Sequence, residues 1–345
     1  MGRSGRVTIQ QVADAAGVSI ATVSRVMTGA ETVRPDLAER VRRAAAELGY
    51  RPNAVAQGLA TGVTRMVGVV VPNLANPYFY DVIKALNAAA GADGYRTLIA
   101  DANEDPNEEL ELSRGLLRQV DALVVVSPRM SAEALREFED RSLRVVLVNR
   151  VAIGIGLPAV SVDSFTAMLE IAGHLARLGH TRVAYLAGPE QSWQQQERWR
   201  ALSQAAAFGL RATSVPAGAT IDAGYGAVDE ALRSQPTAIM CHNDLVAFGA
   251  LARLIELGVD VPGEMSLTGF DDIEFARYAT PPLTTAASPQ RELGRVAWEL
   301  VSEILANGRP TAERPLLPAP LVVRASTAAP ATRPRRPSAA ATGRP

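Results

Sequence analysis

Few side chains in this chain are equipped for covalent chemistry. The three histidines (His174, His180, His242) and the single cysteine, Cys241, stand at no metal-ligand spacing and beside no second carboxylate or cysteine cluster. Structural roles are expected for His174 and His180, while His242, next to Asn243, is placed to line a cleft. The segment Gly154-Ile155-Gly156-Leu157-Pro158-Ala159 fits the glycine pattern of a dinucleotide loop. Pro158 and the AVSVD run after it, however, offer no helix N-terminus to hold a pyrophosphate. Neither a P-loop nor a GxSxG elbow occurs, so no catalytic residue, cofactor or metal is expected. The chemistry on offer is non-covalent. Residues 1–60 carry eight arginines against five acids, a net +3; the last twenty residues carry +4, leaving −8 on residues 61–325. A polyanion therefore suits the ends of the chain and not its body.

The arginines of the first segment must be positioned by short helices. Thr8 followed three residues later by Gln11 is a capping-box signature, and Val12, Ala13 and Ala16 place small apolar residues on one helical face. Gly17 ends that helix, Ser19 caps the next, and Val23 and Val26 give the second helix its buried side. A third helix opens at Pro35, packs through Leu37, Val41, Ala45 and Leu48, and stops at Gly49. Two helices joined by a tight turn and supported by a third form a helix-turn-helix arrangement, with a generic three-helix core as the alternative. A helix starting at Ser19 exposes Ile20, Ala21 and Arg25. In a DNA major groove Arg25 could pair with guanine through two hydrogen bonds, and Ile20 and Ala21 could touch a thymine methyl. Thr22, Ser24 and the helix N-termini suit phosphates.

From Arg65 the pattern changes. The runs VGVVV (67–71), RTLIA (96–100), ALVVV (122–126) and RVVLV (144–148) read as parallel strands buried on both faces, separated by helical stretches. The rhythm restarts with RVAYLAG (182–188), TAIMC (237–241) and SLTGF (266–270), which predicts two doubly wound α/β lobes with a ligand cleft at their strand ends. At 345 residues the chain is too long for one compact core. The lone cysteine forms no internal disulfide, and the N-terminus lacks the apolar region of a secretory signal. No apolar run spans a bilayer. A cytoplasmic protein with no membrane role is expected, ending from Ser326 in a disordered tail rich in Ala, Pro, Thr and Arg.

The segment TIQQVADAAGVSIATVSRVMTG (8–29) closely resembles the DNA-binding headpiece of the LacI/GalR family of bacterial transcription regulators, and the resemblance continues through most of the body to about Ser326. It implies a helix-turn-helix domain (1–50), a hinge (51–64) and an effector-binding and dimerisation domain (65–325). The N-lobe is then expected over about 65–162 and 290–317, and the C-lobe over about 163–289 and 318–325. DNA contacts are implied for Thr8, Ser19, Ile20, Ala21, Thr22, Ser24, Arg25 and Tyr50. In the hinge, RPNAVAQGLA (51–60), Leu59 matches a minor-groove wedge, with Asn53 and Ala56 at its other contact positions. Gly58 departs from the pattern and weakens the hinge helix by about 1 kcal/mol relative to Ala. A homodimer on a near-palindromic operator with a central CpG step follows from the same resemblance.

In the body, PNLANPYF (72–79) resembles the family's first cleft loop and implies Asn76, Tyr78 and Phe79 as effector contacts. Arg150 matches an arginine that binds hydroxyls in ribose-type relatives, Arg198 the cleft arginine of the second lobe, and Asn243 and Asp271 complete a polar ring suited to a sugar. Taken singly, Asp271 also reads as a helix cap or turn and Asn243 as a helix N-cap, but their joint spacing favours the cleft. Ser288 is implied as an effector contact at a position where a longer polar side chain is common, Ser192, Gln194 and Ala219 also depart from the family's usual residues, and Trp193 is a candidate for the missing aromatic face. The function implied is effector-controlled transcription regulation, with repression relieved by a sugar as the default. A sugar-binding protein or an α/β enzyme without a DNA role is the alternative, since such lobes host many activities.

Overall fold

The computed structural model describes residues 7–27, 33–50, 63–141, 143–308 and 315–331. The chain divides at Arg65 and Met66 into two compact units.

The first unit holds helices α1 (Ile9–Ala16), α2 (Ile20–Met27) and α3 (Pro35–Leu48). Thr8 forms the full capping box with Gln11, and Gly17 ends α1 at φ +61°, a left-handed position that suits glycine. Ser19 Oγ accepts from Thr22 N at 3.2 Å to start α2. Arg40 of α3 donates to the Ala16 and Gly17 carbonyls, placing a cation on the C-terminal end of α1. Val12, Ala13, Ala16, Val23, Val26, Ala38, Val41, Ala44 and Ala45 form the core. The seam of α3 is thus rotated from the expected one. Leu48 is exposed and Leu37 only half-buried, because the alanines let three short helices approach more closely than leucines would.

The second unit has two lobes. A six-stranded sheet runs in the order β11-β5-β4-β3-β1-β2, from β1 (Met66–Val71), β2 (Arg96–Asp101), β3 (Ala122–Val126), β4 (Val145–Val148), β5 (Ala159–Val162) and β11 (Leu316–Leu317). All its pairings are parallel. Helices α4 (Tyr78–Ala92), α5 (Pro106–Leu117), α6 (Ala132–Asp140) and α11 (Gln290–Asn307) belong to this lobe. The other sheet runs β7-β6-β8-β9, from β6 (Arg182–Ala187), β7 (Arg211–Pro216), β8 (Ala238–Cys241) and β9 (Ser266–Thr268). With it go α7 (Ser164–Arg177), α8 (Trp193–Ala205), α9 (Ile221–Arg233) and α10 (Asp244–Glu256). An antiparallel pair, β10 (Thr285–Ala286) with β12 (Leu321–Val322), completes it. The described chain crosses between lobes after β5, before α11 and between β11 and β12.

Two expectations change. RTLIA was expected to be buried on both faces, but β2 is the edge strand and Ile99 is 45% exposed. The tail was expected to lose order at Ser326, yet Ser326 is buried, accepts from Thr284 N at 2.8 Å and donates to the Leu267 carbonyl at 2.6 Å. His180 Nε2 then meets the Ala328 carbonyl at 2.9 Å, and His174 Nε2 meets Thr327 Oγ1 at 3.0 Å. These polar anchors hold residues 326–328 where composition alone suggested no packing.

Candidate functional site

Two groups of residues stand out, one in each unit. In the first, α2 buries Val23 and Val26 and so turns Ile20, Ala21 and Arg25 to solvent, with Ile20 43% exposed. Ser19 and Thr22 share a hydrogen bond between their hydroxyls at 2.9 Å, and Ser24 is half-buried on the same helix. Thr8 uses its hydroxyl in the capping box, accepting from Gln11 N at 3.4 Å. Tyr50 packs half-buried against the helical core. Asn53, Ala56, Gly58 and Leu59 lie outside the described residues.

In the second unit a cavity opens where the strand ends of the two lobes meet. Asn76, Tyr78, Phe79, Ser127, Arg129 and Asn149 line it from one lobe, Val162 at the crossover, and Ser192, Gln194, Arg198, Ala219, His242, Asn243 and Asp271 from the other. Its volume is about 30 Å³. The lobes are bonded across it: Gln194 Nε2 donates to the Asn149 carbonyl. A larger cleft of about 520 Å³ adjoins it and shares Asn76 and Ala219 as walls.

Each lining residue is set by its element. Asn76 Oδ1 accepts from Tyr78 N at 3.0 Å, a turn that starts α4 and brings Tyr78 and Phe79 together edge to face at 5.2 Å. Asn149 follows β4 at φ +58°. It donates to the Tyr78 hydroxyl at 2.7 Å and accepts from Val162 N at 3.3 Å. Arg198 lies 3.6 Å over the Phe270 ring, donates to the His242 carbonyl and sits 3.6 Å from Asp271 Oδ1. Asn243 caps α10 through Val246 N at 2.9 Å and also donates to the Ala219 carbonyl at 3.0 Å, so cap and cavity wall are the same residue. Asp271 stands at φ +110°, a strained backbone held by Ala286 O and by Gln290 Nε2, which donates to its carbonyl at 2.7 Å. Gly188 must be glycine, because a Cβ there would come within 2.4 Å of the His242 ring.

Both units match known regulators. The family model for bacterial regulatory proteins of the lacI family matches residues 8–53, and a periplasmic binding protein-like domain matches residues 172–327. The HTH-type transcriptional repressor CytR of Escherichia coli (strain K12) is 31% identical over 333 residues, covering 93% of this chain and 96% of the relative. The chain belongs to the LacI family. Among solved structures, the lac repressor dimer bound to operator and the anti-inducer ONPF matches with a TM-score of 0.83 at 27% identity, covering 94% of this chain and 100% of that one. A complex of the regulator CelR with cellobiose matches with a TM-score of 0.70 at 27% identity, covering 93% and 100%. This LacI-family chain is accordingly a DNA-binding transcription regulator with a periplasmic-binding-protein-like body. Among the described residues no helix is long and apolar enough to cross a membrane.

Within that family frame, six of the nine residues read as effector contacts meet at the cavity: Asn76, Tyr78, Phe79, Arg198, Asn243 and Asp271. Three do not. Arg150 turns away and clamps a loop, its Nη1 donating to the Pro128 and Met130 carbonyls at 3.0 and 2.8 Å. The left-handed turn at Asn149 presents Asn149 to the cavity and sends its neighbour the other way. Trp193 is half-buried off the cavity. Gln194 and Arg198 are four residues apart and share one face of α8, while position 193 lies about 100° around the helix. Ser288 is buried behind the cavity, near enough to Tyr78 and Asp271 to favour their charged forms, yet its Oγ makes no well-formed hydrogen bond.

Sequence reasoning missed Ser127, Arg129 and Asn149. The first two follow β3 and the third follows β4, so the rule that ligands meet strand carboxyl ends could have found them. Gln194 was legible as the residue four before Arg198. The dinucleotide-like glycines precede strand β5 and do not open a helix; Gly156 N instead donates to Glu139 Oε1 at 2.6 Å.

Burial governs the electrostatics. It pushes the Asp271 carboxyl up to about 7, against the pull of Arg198. It raises the Tyr78 hydroxyl far above its ordinary value, with Asp271 adding to the rise. It also drives His242 well down, helped by the Arg198 and Arg129 guanidiniums, so that His242 is neutral. Glu109, wholly buried, is pushed up to about 7 by desolvation, opposed by the backbone N–H groups of Met130 and Arg129. Cys241 is buried and its thiol is raised well above the ordinary range, which leaves it unreactive.

Proposed function

We propose that this chain is a dimeric transcriptional repressor that reads a near-palindromic operator and is released by a hydroxyl-rich small molecule, a sugar or sugar derivative, bound between the lobes. The carrying observation is the convergence of Asn76, Tyr78, Arg198, Asn243 and Asp271 from both lobes on one cavity. Aromatic rings with fixed donors and a carboxylate suit a sugar ring and its hydroxyls. The CelR relative supports this by holding cellobiose, and the lac repressor supports the operator and dimer by being seen with both.

Arg25 is assigned to a guanine, Ile20 and Ala21 to apolar contact with bases, and Ser19, Thr22, Ser24, Thr8 and Tyr50 to positioning on phosphates. Two such units related by a two-fold axis require related half-sites. Asn53, Ala56 and Leu59 are assigned to a minor-groove hinge. The lobes bond to one another across the cavity through Gln194 and Asn149, and an effector that takes up those polar groups competes with that bond. It therefore has different affinities for different lobe arrangements, which is what linkage to DNA binding requires. Such a role places the protein in the cytoplasm, with the chromosome, and gives it no part in catalysis.

The test is selection of duplexes from a randomised pool at low salt, followed by a thermal-shift screen of sugars, since a ligand specific for the native state raises the melting temperature. The proposal expects enriched palindromes and at least one stabilising sugar. A pool that yields no enriched palindrome contradicts it.

A further inference from the structure

We propose that the effector carries an anionic oxygen group, a carboxylate or a phosphate, and that Arg129 selects it. The inference rests on the reading of the cavity as the effector site. It comes from the balance of donors and acceptors on the cavity wall. The wall's amide oxygens each already accept one hydrogen bond within the protein, which leaves each a single lone pair. Asn149 O is taken by Gln194, Asn149 Oδ1 by Val162 N, Asn76 Oδ1 by Tyr78 N and Asn243 Oδ1 by Val246 N. The one carboxylate among the lining residues is Asp271.

The donors are not spent in the same way. Arg129 and Arg198 line the cavity from opposite lobes and are only 6% and 4% exposed. Arg198 Nε is buried without a hydrogen-bond partner, and its Nη2 lies 3.6 Å from Asp271, too far for a good hydrogen bond. Arg129 donates from Nε and Nη2 to Glu104 at 2.8 and 3.4 Å and from Nη1 to the Ser127 carbonyl at 2.9 Å. A guanidinium has five N–H groups, so one remains on each Nη. Glu104 occupies one edge of Arg129 and belongs to the adjoining cleft; it lowers the local charge without using those two hydrogens.

The loop is built to aim this side chain. Glu109 Oε2 accepts from Arg129 N at 2.9 Å and Met130 N at 2.7 Å, while Arg150 grips the carbonyls of Pro128 and Met130. Arg150, expected to touch ligand, thus holds the backbone of a neighbouring arginine that reaches the cavity. A neutral sugar hydroxyl offers two lone pairs but also brings one donor hydrogen that the wall must match. A carboxylate or phosphate brings acceptors only, and its bonds to guanidinium are the stronger charge-assisted kind.

The experiment is calorimetric titration of the full-length protein with matched probes: D-glucose, D-glucuronate and D-glucose 6-phosphate; D-galactose, D-galacturonate and D-galactose 6-phosphate; D-ribose and D-ribose 5-phosphate. A charged member should bind at least tenfold more tightly than its neutral parent, the uronates and phosphates showing which anion fits. Arg129→Met should erase that gain, and Arg129→Lys, which keeps the charge, should retain part of it and guard against a folding defect. Neutral parents that bind as tightly as every charged member, or an undiminished preference in Arg129→Met, overturn the inference alone. A protein that binds no probe, neutral or charged, overturns the effector reading together with it.

Discussion

Gln194 and Asn149 join the two lobes of the effector body, the carboxamide of one donating to the backbone carbonyl of the other directly across the cavity. The bond occupies polar groups that a ligand would otherwise meet. Removing it should favour separated lobes. A buried hydrogen bond contributes about 1 kcal/mol net, so Gln194→Ala should raise the separated population and the effector association rate roughly fivefold. Stopped-flow binding measures this directly, and an unchanged association rate would show that the bond does not restrain the lobes.

Arg150 and Arg198 should separate cleanly when each is changed to methionine. Arg150→Met releases the Pro128 and Met130 carbonyls and should lower stability by about 1–3 kcal/mol, the penalty for buried polar groups left unpaired. Arg198→Met should weaken effector binding tenfold or more, because Arg198 is in the cavity wall. Melting curves and titrations of both variants decide the matter. An Arg150→Met protein that melts like the parent but loses its ligand would return Arg150 to the site.

Glu109 gives a pH signature. Its folded value of about 7 lies above its ordinary 4.5, so the native state holds the proton more tightly than the unfolded chain. The stability this contributes is fully present below pH 4.5 and is lost as pH rises through 7. The shift corresponds to about 3 kcal/mol, as an order of magnitude. Glu109→Gln cannot ionise and keeps an acceptor for the Arg129 and Met130 N–H groups. In denaturant melts the parent's stability relative to Glu109→Gln should fall between pH 5 and 8, and a constant difference would contradict the assignment.

On the DNA-binding unit, Ser19→Ala removes the cap that accepts from Thr22 N and should destabilise the helical unit by about 1 kcal/mol. Arg25→Ala should leave effector affinity unchanged, weaken operator binding by about 1–3 kcal/mol and relax base preference at one position per half-site. Equal loss of operator and effector affinity in Arg25→Ala would mark Arg25 as structural.

The parts of this molecule that were legible in the sequence are those fixed by local rules. The capping box at Thr8, the left-handed Gly17 and the cap at Ser19 locate the first two helices, and apolar runs locate most of the inner strands. The unread parts depend on distant partners. The burial of β2 depends on its place at a sheet edge, and the packing of Ser326 depends on Thr284 and Leu267. In the cavity, resemblance located residues that motifs carry, such as Asn76 and Asp271. Arg150 lies off the cavity because the backbone turn at Asn149, invisible in residue types, decides which of two neighbours lines it.

The central claim is that one chain couples operator binding to occupancy of the cavity. The most direct measurement is the dissociation constant of the selected operator with and without saturating effector, paired with that of the effector for free and operator-bound protein. The account predicts that both change by the same factor, about 5–150-fold, operator binding being weakened, and that Arg198→Met removes the response. An operator affinity unaltered by saturating effector would contradict it.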